Sequence, residues 1–381
     1  MGFLQKIKWK HYINYAAVAL LTIVFAVLSL TGGIRSSTIF LFERIAITMI
    51  LAVSLNLVVG FLGELSLGHA GFMCVGAYLG GKVSSLLLAS LGGGLGNLVL
   101  SLLVGGVCAA ACGLLIGLPA LRLKGDYLAI VTLAFGEIVR VLFKNTSDKS
   151  FGGPMGLETP RYDKSTLFIF AFIMVLACLA VVQNLMRSKH GRAITAIRDN
   201  EIAARATGVN VTKYKLLAFA VSSFFAGIAG VLYSFSQNRV QFEHFDYNYS
   251  IEILVIIVIG GLGSINGSLV SAALITFLDV KLADVLKGNL AVLQNLVYAL
   301  ILILIIIYGN APALKNFRER YNLRALWEKI RKPKTQDPGA VRDDATDWAK
   351  IPTKIPMDEV LSTDLKGEAS GVSEDGDKEE R

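Results

Sequence analysis

Ionisable groups are rare in the apolar stretches of this chain, so those that occur there define the chemistry to be considered. The densest set lies in Gly60 to Gly81, GFLGELSLGHAGFMCVGAYLGG, where Glu64, Ser66 and His69 stand among Gly60, Gly63, Gly68 and Gly71. A carboxylate and an imidazole in an apolar segment suggest a proton relay, but a relay needs a chain of such groups across a membrane, and none can be assembled here. A separation of five residues does not bring Glu64 and His69 onto one helix face; His69 reads better as a structural group bonded to a neighbouring helix. Glu137 and Arg140, three apart, share a face and can pair. Asp279 and Lys281, two apart, face different ways and need other partners.

Other reactive types give no catalytic pattern. The four histidines, His11, His69, His190 and His244, make no H-x-x-x-H pair, and no C-x-x-C occurs, so no metal site is expected. Cys74, Cys108, Cys112 and Cys178 all fall in apolar runs and read as small core residues, with no disulfide framework. Gly76 to Lys82, GAYLGGK, fits a phosphate-loop spacing, but Val83 stands where a magnesium-binding Ser or Thr is needed. It also lies in an apolar run with no preceding soluble strand. The chain is therefore expected to bind no cofactor and to catalyse no reaction itself.

Composition explains the scarcity of polar groups. Of 381 residues, 54% are hydrophobic and 17% charged, against about 25% charged in a soluble domain; mean hydropathy is +0.58. The expected class is all-α, a polytopic helical membrane protein. Residues 337–381 hold thirteen Asp or Glu against six Lys or Arg, a net of −7, leaving +15 on residues 1–336. A basic body with an acidic tail fits orientation in a lipid bilayer and does not call for nucleic acid.

Apolar runs then give about ten spans. Lys6, Lys8, Lys10 and His11 precede the first, 13–30, which makes a cytoplasmic N-terminus and a membrane helix a better reading than a cleaved leader. Further spans follow at about 39–59, 60–89, 95–118, 127–143, 166–186 and 216–235. The run 251–259 is too short to cross, since crossing takes about 20 residues; it meets Gly260 to Val270, GGLGSINGSLV, and then a ninth span to about 285. A tenth runs over 290–308. The basic loop 187–215 and the basic segment 311–336 both fall on the cytoplasmic side by this count, and the acidic stretch 337–381 reads as a disordered cytoplasmic tail.

Two Gly-rich interruptions therefore mark the apolar region. Glycine weakens helix interiors, and a broken helix in a membrane is tolerated where protein or a water-filled cavity covers its backbone. Close helix packing through small residues accounts for the first interruption as readily. Paired interruptions in two halves also point to an internal, inverted repeat around a central path. Gly63, Glu64, Ser66, Gly68, His69 and Gly71, with Gly261, Gly263, Ser264 and Asn266, form the candidate translocation path. In the basic loop, Ala203, Ala204 and Gly208 give a short helix a small-residue face, flanked by Arg198, Asp199, Glu201 and Arg205. Interleaved charges and the lack of Leu, Phe or Trp favour a protein-docking helix over one lying on lipid.

The stretches GELSLGHAGFMCVGAY, LKGDYLAIVTLAFGEIVR, GGPMGL and GRAITAIRDNEIAARATGVNVTKYKLLAF together resemble the permease subunits of branched-chain amino acid ABC importers, specifically the second of the two paired permeases. The resemblance covers about residues 34–310. It implies a heterodimeric pore in the inner membrane, a second permease subunit, two cytoplasmic ATPase subunits that carry ATP and Mg, and an external substrate-binding protein. It also tips the first interruption toward a path-lining segment. ABC importers generally carry E-A-A-x-x-x-G in the docking loop; here Ile202 takes the Glu position and Glu201 precedes it, so this loop is expected to dock in its own manner. Urea or short-chain amide importers resemble the same family, and a proton-coupled carrier using Glu64, His69 or Glu137 is the rival outside it.

Overall fold

The computed structural model describes residues 35–91, 94–121, 123, 125–285 and 296–300, with positions 18, 22, 302, 303 and 307. All lie in one compact unit, Met1–Asn310. All but two positions of the expected first span and most of the tenth lie outside the described residues, as do the segments 311–336 and 337–381.

The described residues are helical almost throughout. Helix α1 covers Ser36–Asn56 and continues as a π-helical turn, Leu57–Leu62. Then come α2, His69–Leu91, α3, Leu95–Ala120, and α4, Asp126–Lys144. Helix α5, Lys164–Arg187, leads into two short helices, α6, Lys189–Asp199, and α7, Glu201–Ala206. Helix α8, Val211–Gln237, is followed by α9, Tyr247–Gly260, and α10, Ile265–Val285. Among the described residues, five segments are long and apolar enough to cross a membrane: Ser36–Leu62, His69–Leu88, Leu95–Ala120, Lys164–Arg187 and Val211–Gln237. At 14 residues, α9 is too short, as expected.

Burial separates the centre from the rim. In α1 and α8, 78% and 72% of the apolar window is buried, against 33% in α3 and 44% in α5. Lipid tails are as apolar as leucine, so helices in a bilayer gain little by hiding leucines and instead pack closely through small residues. Helix α8 follows that rule: a Cβ on Gly227 would lie 2.7 Å from Gly105 O of α3, and one on Gly106 would lie 2.8 Å from the Phe224 ring. Between α2 and α4 the same device recurs, with Tyr78 and Phe143 stacked at 4.3 Å farther along.

The two loops at the far end of α8 are joined by an element the sequence did not suggest. Strands β1, Leu157–Glu158, and β2, Arg239–Val240, pair antiparallel, with Leu157 opposite Val240 and Glu158 opposite Arg239. Thr159 closes the junction, its N–H donating to Asn238 O at 3.1 Å and its hydroxyl to Ser234 O at 2.8 Å.

Candidate functional site

The first Gly-rich stretch is an interruption at the junction of two helices, placed slightly differently from the expectation. Sequence pattern put all of Gly60 to Gly81 in the third span. Instead, α1 runs on to Leu62 through its π turn, Gly63 adopts φ +80°, and residues 63–68 are non-helical before α2 begins at His69. Both flanks are apolar, so hydrophobic pattern does not mark the boundary between them.

The non-helical segment runs inside the bundle. At one end, Glu64 meets Lys215, one turn into α8. At the other, His69 Nε2 lies 3.1 Å from Ser54 Oγ, and Ser54 O accepts from Ser222 Oγ at 2.7 Å. Lys215 and Ser222 are seven residues apart on one helix, so the segment climbs about 10 Å along the bundle. Its backbone groups find partners there. Glu64 N donates to Val58 O at 3.1 Å and Leu67 N to Thr132 Oγ1 at 3.0 Å, and just beyond the segment Ala70 N at the start of α2 donates to Ser250 Oγ at 3.0 Å. This is how irregular backbone persists at membrane depth, covered by protein groups that replace the lost helix bonds. Ser66, Gly68 and His69 are buried. Gly68 and Gly71 bring the chain against α4: a Cβ on Gly68 would lie 2.5 Å from Thr132 O, and one on Gly71 would lie 2.6 Å from Gly136 Cα. Glu64 and His69 face different neighbours and do not form a relay.

The second stretch abuts the first. Gly261 and Gly263 take φ +92° and +78° between α9 and α10, and Ser264 N donates to Gly261 O at 3.0 Å. Asn56, fully buried at the end of α1, binds two groups of this turn and one of α10. Its Oδ1 accepts from Gly263 N at 2.9 Å, and its Nδ2 donates to Ser264 O at 3.2 Å and to Ser268 Oγ at 2.8 Å. A Cβ on Gly60 would run into Gly263 N. Ser264 and Asn266 are themselves exposed.

The basic loop folds into α6 and α7, where one short helix was expected. Each start is capped by a side chain: Ser188 accepts from His190 N at 3.1 Å, Asn200 from Ala203 N at 3.0 Å, and Asn210, before α8, from Lys213 N at 3.1 Å. These caps satisfy N–H groups a helix start leaves open. Helix α6 buries Ile194 and Ile197, while α7 buries only Ala204. Exposed on α7 are Ala203, Arg205 and Ala206, and above all Ile202 at 77% exposure. Gly208 ends the helix at φ +85°.

Loop and interruption are bonded to one another. Lys215 Nζ, with its side chain 3% exposed, donates to Glu64 and, at 3.1 Å, to Glu201 Oε2 of α7. Glu201 also takes Arg205 at 2.8 Å. Arg198, paired with Asp199 at 3.0 Å, donates from Nη1 to Gly60 O at 3.2 Å, and its Cγ would lie 2.6 Å from a Cβ on Gly63. Two residue sets that were separate in sequence, Gly63–Glu64 and Arg198–Glu201, thus form one cluster with Gly263 beside it. Sequence reasoning missed Lys215 and Asn56 beside these sets, and it marked Ile202 only as a departure from the docking-loop pattern. Asn56 did carry a signal, being an amide in an otherwise apolar run. Among the described residues, no group of three or more His, Cys, Asp or Glu is placed to hold a metal ion.

Comparison with known proteins agrees with this architecture. Residues 37–307 match the family described as branched-chain amino acid transport system / permease component. The chain is 34% identical over 282 residues to the high-affinity branched-chain amino acid transport system permease protein LivM of Salmonella typhimurium, an alignment spanning 66% of this chain and 64% of LivM. LivM of Escherichia coli K12 matches at the same identity and length. The ribose import permease protein RbsC of Escherichia coli is 27% identical over 165 residues, 42% of this chain and 47% of RbsC. No solved structure matches the chain. With most of its length matched and its helices arranged as a polytopic membrane bundle, the chain belongs to the branched-chain amino acid transport system permease family.

Proposed function

We propose that this chain is the membrane-spanning permease subunit of an ATP-binding cassette importer that moves branched-chain or related hydrophobic amino acids inward. ATP hydrolysis falls to two cytoplasmic ATPase subunits, which carry the ATP and Mg. A second permease completes the pore, and an external protein delivers the substrate. The chain sits in the inner membrane with both termini cytoplasmic, because the positive-inside rule places the basic loop there. LivM is named for branched-chain amino acids and RbsC for ribose; the longer, more identical alignment with LivM supports the amino-acid reading.

The observation that carries the proposal is the Lys215 cluster, which connects an exposed helix to an internal break. Closure of the ATPases displaces α7; Glu201 moves Lys215 and, with it, Glu64 at the foot of the non-helical segment. Arg198 transmits the same displacement to Gly60, and Asn56 carries it to the second turn. The break can yield because, past Glu64, its Leu67 N–H is held by the Thr132 side chain of α4 and not by a helix ladder.

Ile202 offers a direct test. Its exposure places a charge in solvent if it is replaced, and surface changes of that kind cost within about 0.5 kcal/mol in the isolated protein. Ile202→Asp is expected to leave the permease in the membrane while abolishing co-purification of the ATPase subunits and ATP-driven uptake. Wild-type co-purification and uptake would show that α7 is not the docking element.

A further inference from the structure

At the end of the bundle away from α7 lies a cavity of about 290 Å³. Its walls include Arg44 of α1, Met73 of α2, Tyr233 of α8, and Asp246, Tyr249 and Glu252 at the start of α9. That volume is at the lower edge of the range of ligand pockets, roughly 300–1,000 Å³, and suits one small molecule. Charges of both signs face a wall of one thioether and two aromatic rings.

The charged groups are held in ways that leave room for a ligand. Among the described residues, the ion-pair partner of Arg44 is Asp279, at 3.9 Å between partly exposed side chains. A pair at that distance contributes little, and a carboxylate meeting the guanidinium in the two-bonded geometry competes well for it. Glu252 Oε1 accepts from Tyr298 OH at 3.1 Å, which fixes its carboxylate. Asp246 caps α9, accepting from Tyr249 N at 3.0 Å, so the wall containing Glu252 is set by a helix start. Met73 lies one turn into α2, the helix that follows the non-helical segment 63–68. The cavity therefore stands above the break.

We propose that this cavity is an α-amino-acid site at the outer end of the permease. Arg44 takes the ligand carboxylate, Glu252 takes its ammonium, and Met73, Tyr233 and Tyr249 receive the side chain. Methionine adapts to irregular shapes, so branched chains of different form are accepted on one wall. The site rests on the amino-acid reading of the transported substrate and adds residues that recognise it independently of the external binding protein.

The test is equilibrium binding of radiolabelled leucine to the purified permease–ATPase complex without the external protein. Saturable binding is expected, displaced by valine or isoleucine but not by leucinol, which lacks the carboxylate, or by 4-methyl-2-oxopentanoate, which lacks the ammonium. Arg44→Gln and Glu252→Gln should each raise Kd by about tenfold or more, while Asp279→Asn leaves it near the wild-type value. No saturable binding in the wild type would overturn the site, as would unchanged Kd in both variants. Equal weakening by Asp279→Asn would also overturn it, because Arg44 would then serve the ion pair. Leucine uptake by the wild-type complex with its binding protein and ATP separates the two claims: uptake without binding removes only the cavity, and absent uptake removes the transport reading while binding alone decides the cavity.

Discussion

Lys215 is the residue at which stability and coupling meet. Nearly excluded from water, it is held by two carboxylates from different elements, Glu64 and Glu201. Removing one partner of a buried pair costs about 3–5 kcal/mol, because the remaining charge has neither water nor a counter-ion. Lys215→Met is therefore expected to lower the melting temperature of the detergent-solubilised complex and to reduce ATP-driven uptake. Glu64→Gln in that background should recover part of the lost stability by removing an uncompensated carboxylate. An unchanged melting curve for Lys215→Met would mean that the cluster holds nothing together. Sequence alone identified both carboxylates, each for a different reason, yet not the cation between them. Lys215 reads there as the last charge of a basic loop, and only the turn through α6 and α7 brings Glu201 back within 3.1 Å of it. His69 was more legible: a lone imidazole in an apolar segment needs one polar neighbour, and Ser54 supplies it.

Among elements, the non-helical segment 63–68 and its flanks show what the glycines do. Gly71 faces Gly136 of α4, whereas nothing lies within 4 Å of a Cβ added at Gly208, where only the positive φ opposes substitution. The two positions therefore differ in kind. A left-handed conformation costs a non-glycine residue about 1–2 kcal/mol, but a side chain at Gly71 must force two helix backbones apart, and backbone cannot step aside as a side chain can. Gly71→Leu is expected to stop uptake with the protein still inserted, and Gly208→Ala to retain most of it; uptake assays at matched membrane levels decide. Normal uptake by Gly71→Leu would show that the α2–α4 contact is not needed. At this scale the sequence shows both interruptions through their glycines and the shortness of α9 through its run length. It did not give their adjacency, which depends on Asn56 reaching residues more than two hundred positions away. Nor did it give the β1–β2 junction, since two-residue strands have too little pattern to read.

At the largest scale, the described helical bundle has two unlike ends connected by its most buried spans, α1 and α8. One end carries the exposed α7, the Lys215 cluster and both Gly-rich turns; the other carries the paired strands and the cavity around Arg44. The half-exposed faces of α3 and α5 are apolar and suit lipid or a second permease, so the chemistry is confined to the ends and the centre. Orientation then decides whether the proposed inward-moving importer is physically consistent, because α7 as its proposed docking helix would have to meet cytoplasmic ATPases while the proposed cavity site meets substrate from outside. Two exposed residues report it: Ile202 on α7 at 77% exposure and Met155, in the loop before β1, at 72%. In a background freed of Cys74, Cys108, Cys112 and Cys178, Met155→Cys is expected to react with a membrane-impermeant maleimide on intact cells. Ile202→Cys should react only after permeabilisation. The basic residues of the loop favour that arrangement by holding it on the cytoplasmic side during insertion. Labelling of Ile202→Cys from outside would reverse the molecule in its membrane, and with it the direction in which α7 drives the break.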